Sequence, residues 1–141
     1  MILIDTSGLL AALDGSQRQH TGCADALARA SPPLLLSPFV LAELDYLLMR
    51  HIGQSAQAAL LDEVVRGAYH LANFDREDIA RANEVIARYR DLNIGLADAS
   101  IVVLAERHST ADVLTLDERH FRAMRIAGRK RFRIVPLDRP S

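Results

Sequence analysis

The chain is expected to adopt an α/β fold, and three observations carry that expectation. Short aliphatic runs alternate with longer stretches of helical period, the pattern of parallel strands joined by helical crossovers. Two of those runs lead into an aspartate, at the carboxyl edge where open parallel sheets place their ligands. The 141 residues, half of them hydrophobic and a quarter charged, suit one compact domain (1–141) whose core needs neither a disulfide nor a structural metal.

Taken in order, Ile2–Ile4 supplies the first strand and Leu34–Leu36 the second. Tyr69–Phe74 is a weaker third, Val113–Thr115 the fourth and Phe132–Val135 the fifth, so the sheet is expected to hold about five strands. A helix follows the first strand from near Gly8. Cys23, Ala24, Leu27 and Ala30 then share one face of a second helix. Ser37 followed by Pro38 is a helix start, because the hydroxyl caps while proline's missing N–H is harmless in the first turn. That helix runs to about Ile52 and stops at Gly53. Asp75 and Asp78 have capping-box spacing ahead of the stripe Ile79, Ala82, Ile86 and Tyr89, a helix predicted to end near Asn93. Leu96–His108 is apolar around much of its circumference and therefore central.

Seventeen Lys and Arg against eighteen Asp and Glu give a formal net charge of -1, which excludes a uniform polycation coating nucleic acid. The longest apolar runs fall far short of the ~20 residues needed to span a bilayer, and MILIDTSG lacks the regions of a signal peptide. Cys23 is the single cysteine and permits no internal disulfide. A cytoplasmic protein without membrane contact is the expectation.

Four carboxylates stand out. Asp5 directly follows the first strand, where it would otherwise merely cap a helix that Thr6 and Ser7 could also cap. Glu43 lies three residues after Val40 and four before Leu47, on a face shared with core residues, although Leu41, Leu44 and Leu48 define a competing stripe. Asp98 has Ile94 four before it and Ile101 and Val102 after it, which turns it inward near a helix start. Asp117 closes the run Val113–Leu116, with the Thr115 hydroxyl beside it. Brought to one sheet edge, these anions would repel and raise one another's pKa, so they need a cation. Oxygen-only ligation favours Mg²⁺ or Mn²⁺, and such a cradle suits metal-assisted phosphoryl chemistry. The histidines at 20, 51, 70, 108 and 120 show no HxxxH or HExxH pairing, so zinc hydrolysis is unsupported. Cys23 and the histidines are expected in packing or surface roles, with His120, close to Asp117, placed to touch a phosphate.

Charge is distributed unevenly. From Arg119 to Arg139 there are eight cations and only Asp138, a net +7, and the remainder of the chain carries -8. Arg129, Lys130 and Arg131 are the candidate nucleic-acid-binding residues, on a phosphate-binding rim expected beside the acidic centre.

The segments ILIDTSGLLAALD, SPFVLAELDYLL, IGLADASIVVLAER and LTLDERHF, in this order and spacing, resemble the motifs of PIN domains and more narrowly of VapC-type toxins. The resemblance implies a three-layer fold with a central parallel sheet and a Mg²⁺-dependent endoribonuclease in which Mn²⁺ can substitute. It further implies products with 5'-phosphate and 3'-hydroxyl ends, a homodimer, and neutralisation by a separate VapB-type antitoxin. Asp5, Glu43, Asp98 and Asp117 match its acidic quartet, and Ser7 and Thr115 its hydroxyl positions. Asp5 and Asp98 are then the primary metal ligands, with Glu43 and Asp117 completing the cradle and orienting the water. LAELDYLL and RYRDLNIGLADAS resemble most the VapC toxins that cut large-subunit ribosomal RNA at the sarcin-ricin loop, while other VapC members resembling this chain cut tRNAs.

Rival readings fare worse. A phosphoacceptor receiver wants an acidic pair after the first strand and a lysine after the fifth, whereas Asp5 stands alone and Lys130 is the only lysine. A dehalogenase-type phosphatase wants DxD where this chain has Asp5, Thr6, Ser7, and no phosphate-cradling glycine loop is present. The non-enzyme alternative is a catalytically silent PIN fold that binds RNA or protein, against which the intact quartet argues.

Overall fold

In the computed structural model, which describes residues 1–138, the aliphatic runs assemble into a five-stranded, all-parallel sheet flanked by helices. The elements in order are β1 (Ile2–Ile4), α1 (Thr6–Leu13), α2 (His20–Arg29), β2 (Leu34–Leu36), α3 (Pro38–His51), α4 (Gln54–Val65) and β3 (His70–Leu71). They continue with α5 (Arg76–Arg88), a 3₁₀ turn (Arg90–Leu92), α6 (Leu96–His108), β4 (Asp112–Leu114), α7 (Glu118–Ala123), β5 (Arg125–Ile126), β6 (Lys130–Arg131) and β7 (Arg133–Val135). Arg139, counted in the basic segment, lies outside the described residues. No helix among the described residues is long and apolar enough to cross a membrane.

The strand order is β3-β2-β1-β4-β7. The chain builds outward from β1 through β2 to β3, then crosses to the other side for β4 and β7. The order therefore reverses between β1 and β4, paired through Leu3 with Val113 and Ile4 with Leu114. That reversal opens a crevice at the carboxyl ends of those two strands. Leu3, Ile4, Val113 and Leu114 are fully buried, as expected of strands covered on both faces.

Local chemistry explains the helix starts. Ser37 Oγ accepts from Phe39 N–H at 3.1 Å, with Pro38 first in α3. Asp75 and Asp78 exchange reciprocal bonds at 3.0 and 3.1 Å, completing the capping box of α5. Along α6 every residue from Ala99 to Ala105 is buried, so this helix packs against α3, α5, β1 and β5 at once. Arg81 of α5 grips Glu106 of α6 through two bonds of 3.0 and 2.7 Å, and Ala127 N–H donates to the same carboxylate. Phe121 of α7 meets Phe132 edge to face at 5.2 Å, which seats α7 against the last strand.

The structure departs from expectation at several points. The third strand is only His70–Leu71, and α5 ends at Arg88, giving way to the 3₁₀ turn and a left-handed Asn93 with φ 53°. Helix α4 and the antiparallel ribbon β5–β6 were not anticipated. The α4 segment mixes alanines with polar residues and offers little apolar period, and the ribbon's two-residue strands are too short to alternate.

Helix α1 lies so close to β4 that a Cβ added at Gly8 would overlap the Leu114 carbonyl. Gly8→Ala is expected to destabilise the protein by about 1–3 kcal/mol, read as a lowered midpoint in urea unfolding. An unchanged midpoint would show that the two elements separate freely.

Candidate metal and phosphodiester site

Asp5 is the residue at which β1 becomes α1. It occupies the N-cap position with extended φ and ψ, yet its side chain makes no capping bond. The carboxylate instead reaches across the crevice: Thr115 Oγ1 donates to Oδ2 at 2.6 Å and Ser7 Oγ donates to the same oxygen at 3.1 Å. Thr115 Oγ1 accepts from Asp117 N–H at 2.9 Å, and Ser7 Oγ accepts from Leu116 N–H at 2.9 Å. Both hydroxyls thus tie the end of β1 to the loop after β4. The side chains at the two hydroxyl positions meet, Ser7 Oγ lying 3.1 Å from Thr115 Oγ1.

Asp5 is 5% exposed and pairs with no cation among the described residues. Burial pushes its carboxyl up to about 6; the two hydroxyl bonds oppose the shift and the nearby Asp98 charge reinforces it.

Asp98 stands in the first turn of α6, its side chain 19% exposed, with Oδ2 accepting from Gly95 N–H at 3.4 Å. Its carboxyl is also raised, chiefly by burial, with Asp117 and Glu43 adding to the rise and the Gly95 bond and His120 opposing it. Asp117 caps α7: its Oδ1 accepts from His120 N–H at 3.0 Å, which leaves Oδ2 facing Asp98 and His120. One oxygen thus caps the helix while the other joins the acidic cluster.

Glu43 corrects the sequence reading. It is exposed, because the buried stripe of α3 is Val40, Leu44 and Leu48. Rotated off the core, it stands at the solvent side of the cluster, where its charge still acts on Asp98. Its helix is held to α6 by a buried contact, Ser100 Oγ donating to the capping Ser37 Oγ at 2.7 Å. The quartet is consequently graded from buried Asp5, through half-buried Asp98 and Asp117, to exposed Glu43.

Sequence reasoning undervalued His120. Its Nδ1 lies 2.8 Å from Asp117 Oδ2 and 3.4 Å from Asp98 Oδ2. Despite those distances the orientation satisfies no hydrogen bond, so Nδ1 is a buried, unpartnered atom. One ligand atom from each of Asp98, Asp117 and His120 lies within 4.8 Å of the others, a donor set that fits a divalent cation. The available signal was its position three residues after Asp117, one helical turn on, in place of a pairing with another histidine. Cys23 is buried and plays the packing role expected of it.

The basic residues fall elsewhere. Arg129, Lys130 and Arg131 are exposed on and beside the β5–β6 ribbon. The first two border a groove with Glu106, Ser109 and Thr110 at the far end of α6, roughly 12–17 Å along the helix axis from Asp98 at 1.5 Å per residue. The expected rim is thus not beside the acids. Arg122 and Arg133 are engaged internally, each forming two bonds, with Asp138 and Asp112 respectively.

The buried Asp5 carboxyl predicts a sign for metal-free stability. Its folded pKa lies above the ordinary 3.8, so the native state holds the extra proton and stability falls as pH rises from about 4 through 6. Asp5→Asn should remove that decline and exceed the natural protein at neutral pH by up to roughly 3 kcal/mol. Chemical unfolding in EDTA at pH 4 and pH 7.5 checks this, and a variant less stable at both would contradict it.

Comparisons with known proteins agree with this geometry. The PIN domain family model matches residues 2–127. Ribonuclease VapC26 of Mycobacterium tuberculosis is 42% identical over 135 residues, covering 96% of this chain and all of the relative. Among solved structures, the sarcin-ricin-loop-cleaving toxin VapC20 of Mycobacterium tuberculosis superposes with a TM-score of 0.79 at 20% identity, over 85% of this chain and 92% of its own. VapBC2 from Rickettsia felis, bound to a promoter DNA fragment, gives 0.66 at 18% identity over 95% and 98%. The matched sequence, the parallel sheet reversing at β1 and β4, and the acids gathered at that reversal together place this chain in the PIN-domain family, among the VapC ribonucleases.

Proposed function

We propose that this protein is a Mg²⁺-dependent endoribonuclease toxin acting in the cytoplasm on structured RNA, either the sarcin-ricin loop of ribosomal RNA or a tRNA. The observation that carries the reading is the convergence of Asp98, Asp117 and His120 beside a buried Asp5 that no cation of the chain neutralises. A divalent ion bound there supplies Lewis acidity toward a phosphodiester and offsets charge on the leaving oxygen. In this reading Asp5 and Asp98 are the principal oxygen ligands.

The remaining work belongs to the chain's own groups. Thr115 and Ser7 fix the rotamer of Asp5 by bonding one of its oxygens, Oδ2. Asp117, with Oδ1 committed to the α7 cap, offers Oδ2 alone. Glu43, exposed and able to turn, completes the set; together Glu43 and Asp117 orient the water that attacks the phosphodiester in line. The products carry 5'-phosphate and 3'-hydroxyl ends. Arg129, Lys130 and Arg131 bind phosphates away from the scissile one, since RNA long enough to be structured extends past the acidic edge. Membership among the VapC ribonucleases supports a separate VapB-type antitoxin as partner and a homodimeric toxin.

Cleavage of a structured RNA should require Mg²⁺ or Mn²⁺, stop in EDTA, and fall by about 100-fold or more in Asp5→Asn or Asp98→Asn. Mapped 5' ends provide the measurement, and full cleavage by the purified double variant would remove the site from consideration.

Replacing Arg129, Lys130 and Arg131 together by Gln should weaken RNA binding and flatten the log–log salt dependence by about 2. Binding isotherms at several salt concentrations decide, an unchanged slope placing the contacts elsewhere.

A further inference from the structure

We propose that His120 is a metal ligand, its Nδ1 joining Asp98 and Asp117 in holding a divalent cation and giving the site a nitrogen donor that the acidic quartet lacks. The inference rests on the reading of the acidic edge as a metal site, and it specifies which further atom of this chain reaches the ion.

The far nitrogen of the ring sets its tautomer. Nε2 stands 2.9 Å from the Leu92 carbonyl oxygen, and a carbonyl offers only lone pairs, so Nε2 carries the hydrogen. In the neutral ring Nδ1 then holds the free lone pair. That lone pair meets Asp117 Oδ2 at 2.8 Å and Asp98 Oδ2 at 3.4 Å, and Nδ1 is buried without a hydrogen-bond partner. With the ring neutral, three electron-rich atoms thus face one another with no donor among them, an arrangement that burial makes costly unless positive charge, a second ring proton or a bound ion, sits between them. Adjacent ligands of an octahedral ion with bonds of ~2.1 Å stand about 3 Å apart, close to the spacing Nδ1 keeps from both carboxylates.

The surroundings are those a ligating histidine requires. Metal-bound imidazoles generally donate their other N–H to a carboxylate, a backbone carbonyl or water, which fixes ring orientation and strengthens the donor. Leu92 provides that carbonyl at the end of the 3₁₀ turn, and Asn93, left-handed at φ 53°, then redirects the chain into α6. The segment that aims the imidazole therefore also leads into the first turn that presents Asp98. From the opposite side, the Asp117 cap fixes the backbone of His120 at 3.0 Å.

A nitrogen donor alters metal choice. Sites built only of oxygen suit Mg²⁺, whereas imidazole favours transition metals. The preference of this protein for Mn²⁺ over Mg²⁺ should accordingly depend on His120.

Pulsed electron paramagnetic resonance of bound Mn²⁺, with Mn²⁺ and Mg²⁺ titrations, tests this on the natural protein, His120→Gln and Asp98→Asn. The expected result is nitrogen hyperfine coupling from the imidazole in the natural protein, lost in His120→Gln together with at least about tenfold in Mn²⁺ affinity and a smaller loss for Mg²⁺. Mn²⁺ that binds in an Asp98-dependent way without nitrogen coupling overturns the His120 assignment and leaves the acidic site standing, with the imidazole reduced to an ion-pair partner. Binding that survives Asp98→Asn undiminished, or no binding to the natural protein, overturns the acidic site and this inference with it. The natural protein's spectrum is decisive alone, so a misfolded variant does not blunt the test.

Discussion

The 2.6 Å bond from Thr115 to Asp5 is the contact on which this molecule turns. It spans 110 residues of sequence and closes the crevice where strand order reverses. Asp5 gives up capping α1 to make it, and Thr115 in turn receives the amide of Asp117. One hydroxyl therefore connects the most buried carboxylate of the quartet to the backbone of another. Because Thr115 is fully buried, water does not compete for that hydroxyl, and the bond holds Asp5 in one orientation.

The neighbouring carboxylates follow a second constraint, the cost of confining like charge. Asp98 reaches back to Gly95 N–H and Asp117 takes the His120 amide. Asp117 thereby keeps its second oxygen for the imidazole, whereas Asp98 turns one oxygen, Oδ2, to both the Gly95 amide and the same ring. The fold is thus more strained electrostatically at this edge than anywhere else among its described carboxylates. Asp112 and Asp138, by contrast, are each matched by an arginine and lowered in pKa by it. Acids that stabilise the structure are paired here, and acids gathered at the crevice are not, which is the pattern expected where function opposes stability.

How much of this the sequence disclosed depended on the range of the cause. Caps are local, so Ser37–Pro38 and Asp75 with Asp78 announced α3 and α5 correctly, and the aliphatic runs announced all five parallel strands. Asp5 and Asp117 were legible because strand ends can be read from composition. Glu43 was ambiguous because α3 offers two overlapping leucine-rich stripes, and only packing against α1, α4 and α6 chose Val40, Leu44 and Leu48. His120 was hidden for a different reason: its partners arrive from α6 and from the 3₁₀ turn, and no spacing rule links position 120 to 92 or 98. The basic run misled in the same way, since charge counted along a chain does not show that a helix separates it from the acids.

The burial of α6 on all sides carries a consequence for how the protein fails. A helix whose residues from Ala99 to Ala105 all lie inside the protein, clamped near its end by Arg81 and Ala127, has no face along which it can open alone. Its amides should exchange with solvent only through global unfolding, at the slow end of the range found within one domain. Asp98 sits in the first turn of that helix, so the site shares its persistence. Activity on heating is then lost together with the fold rather than ahead of it.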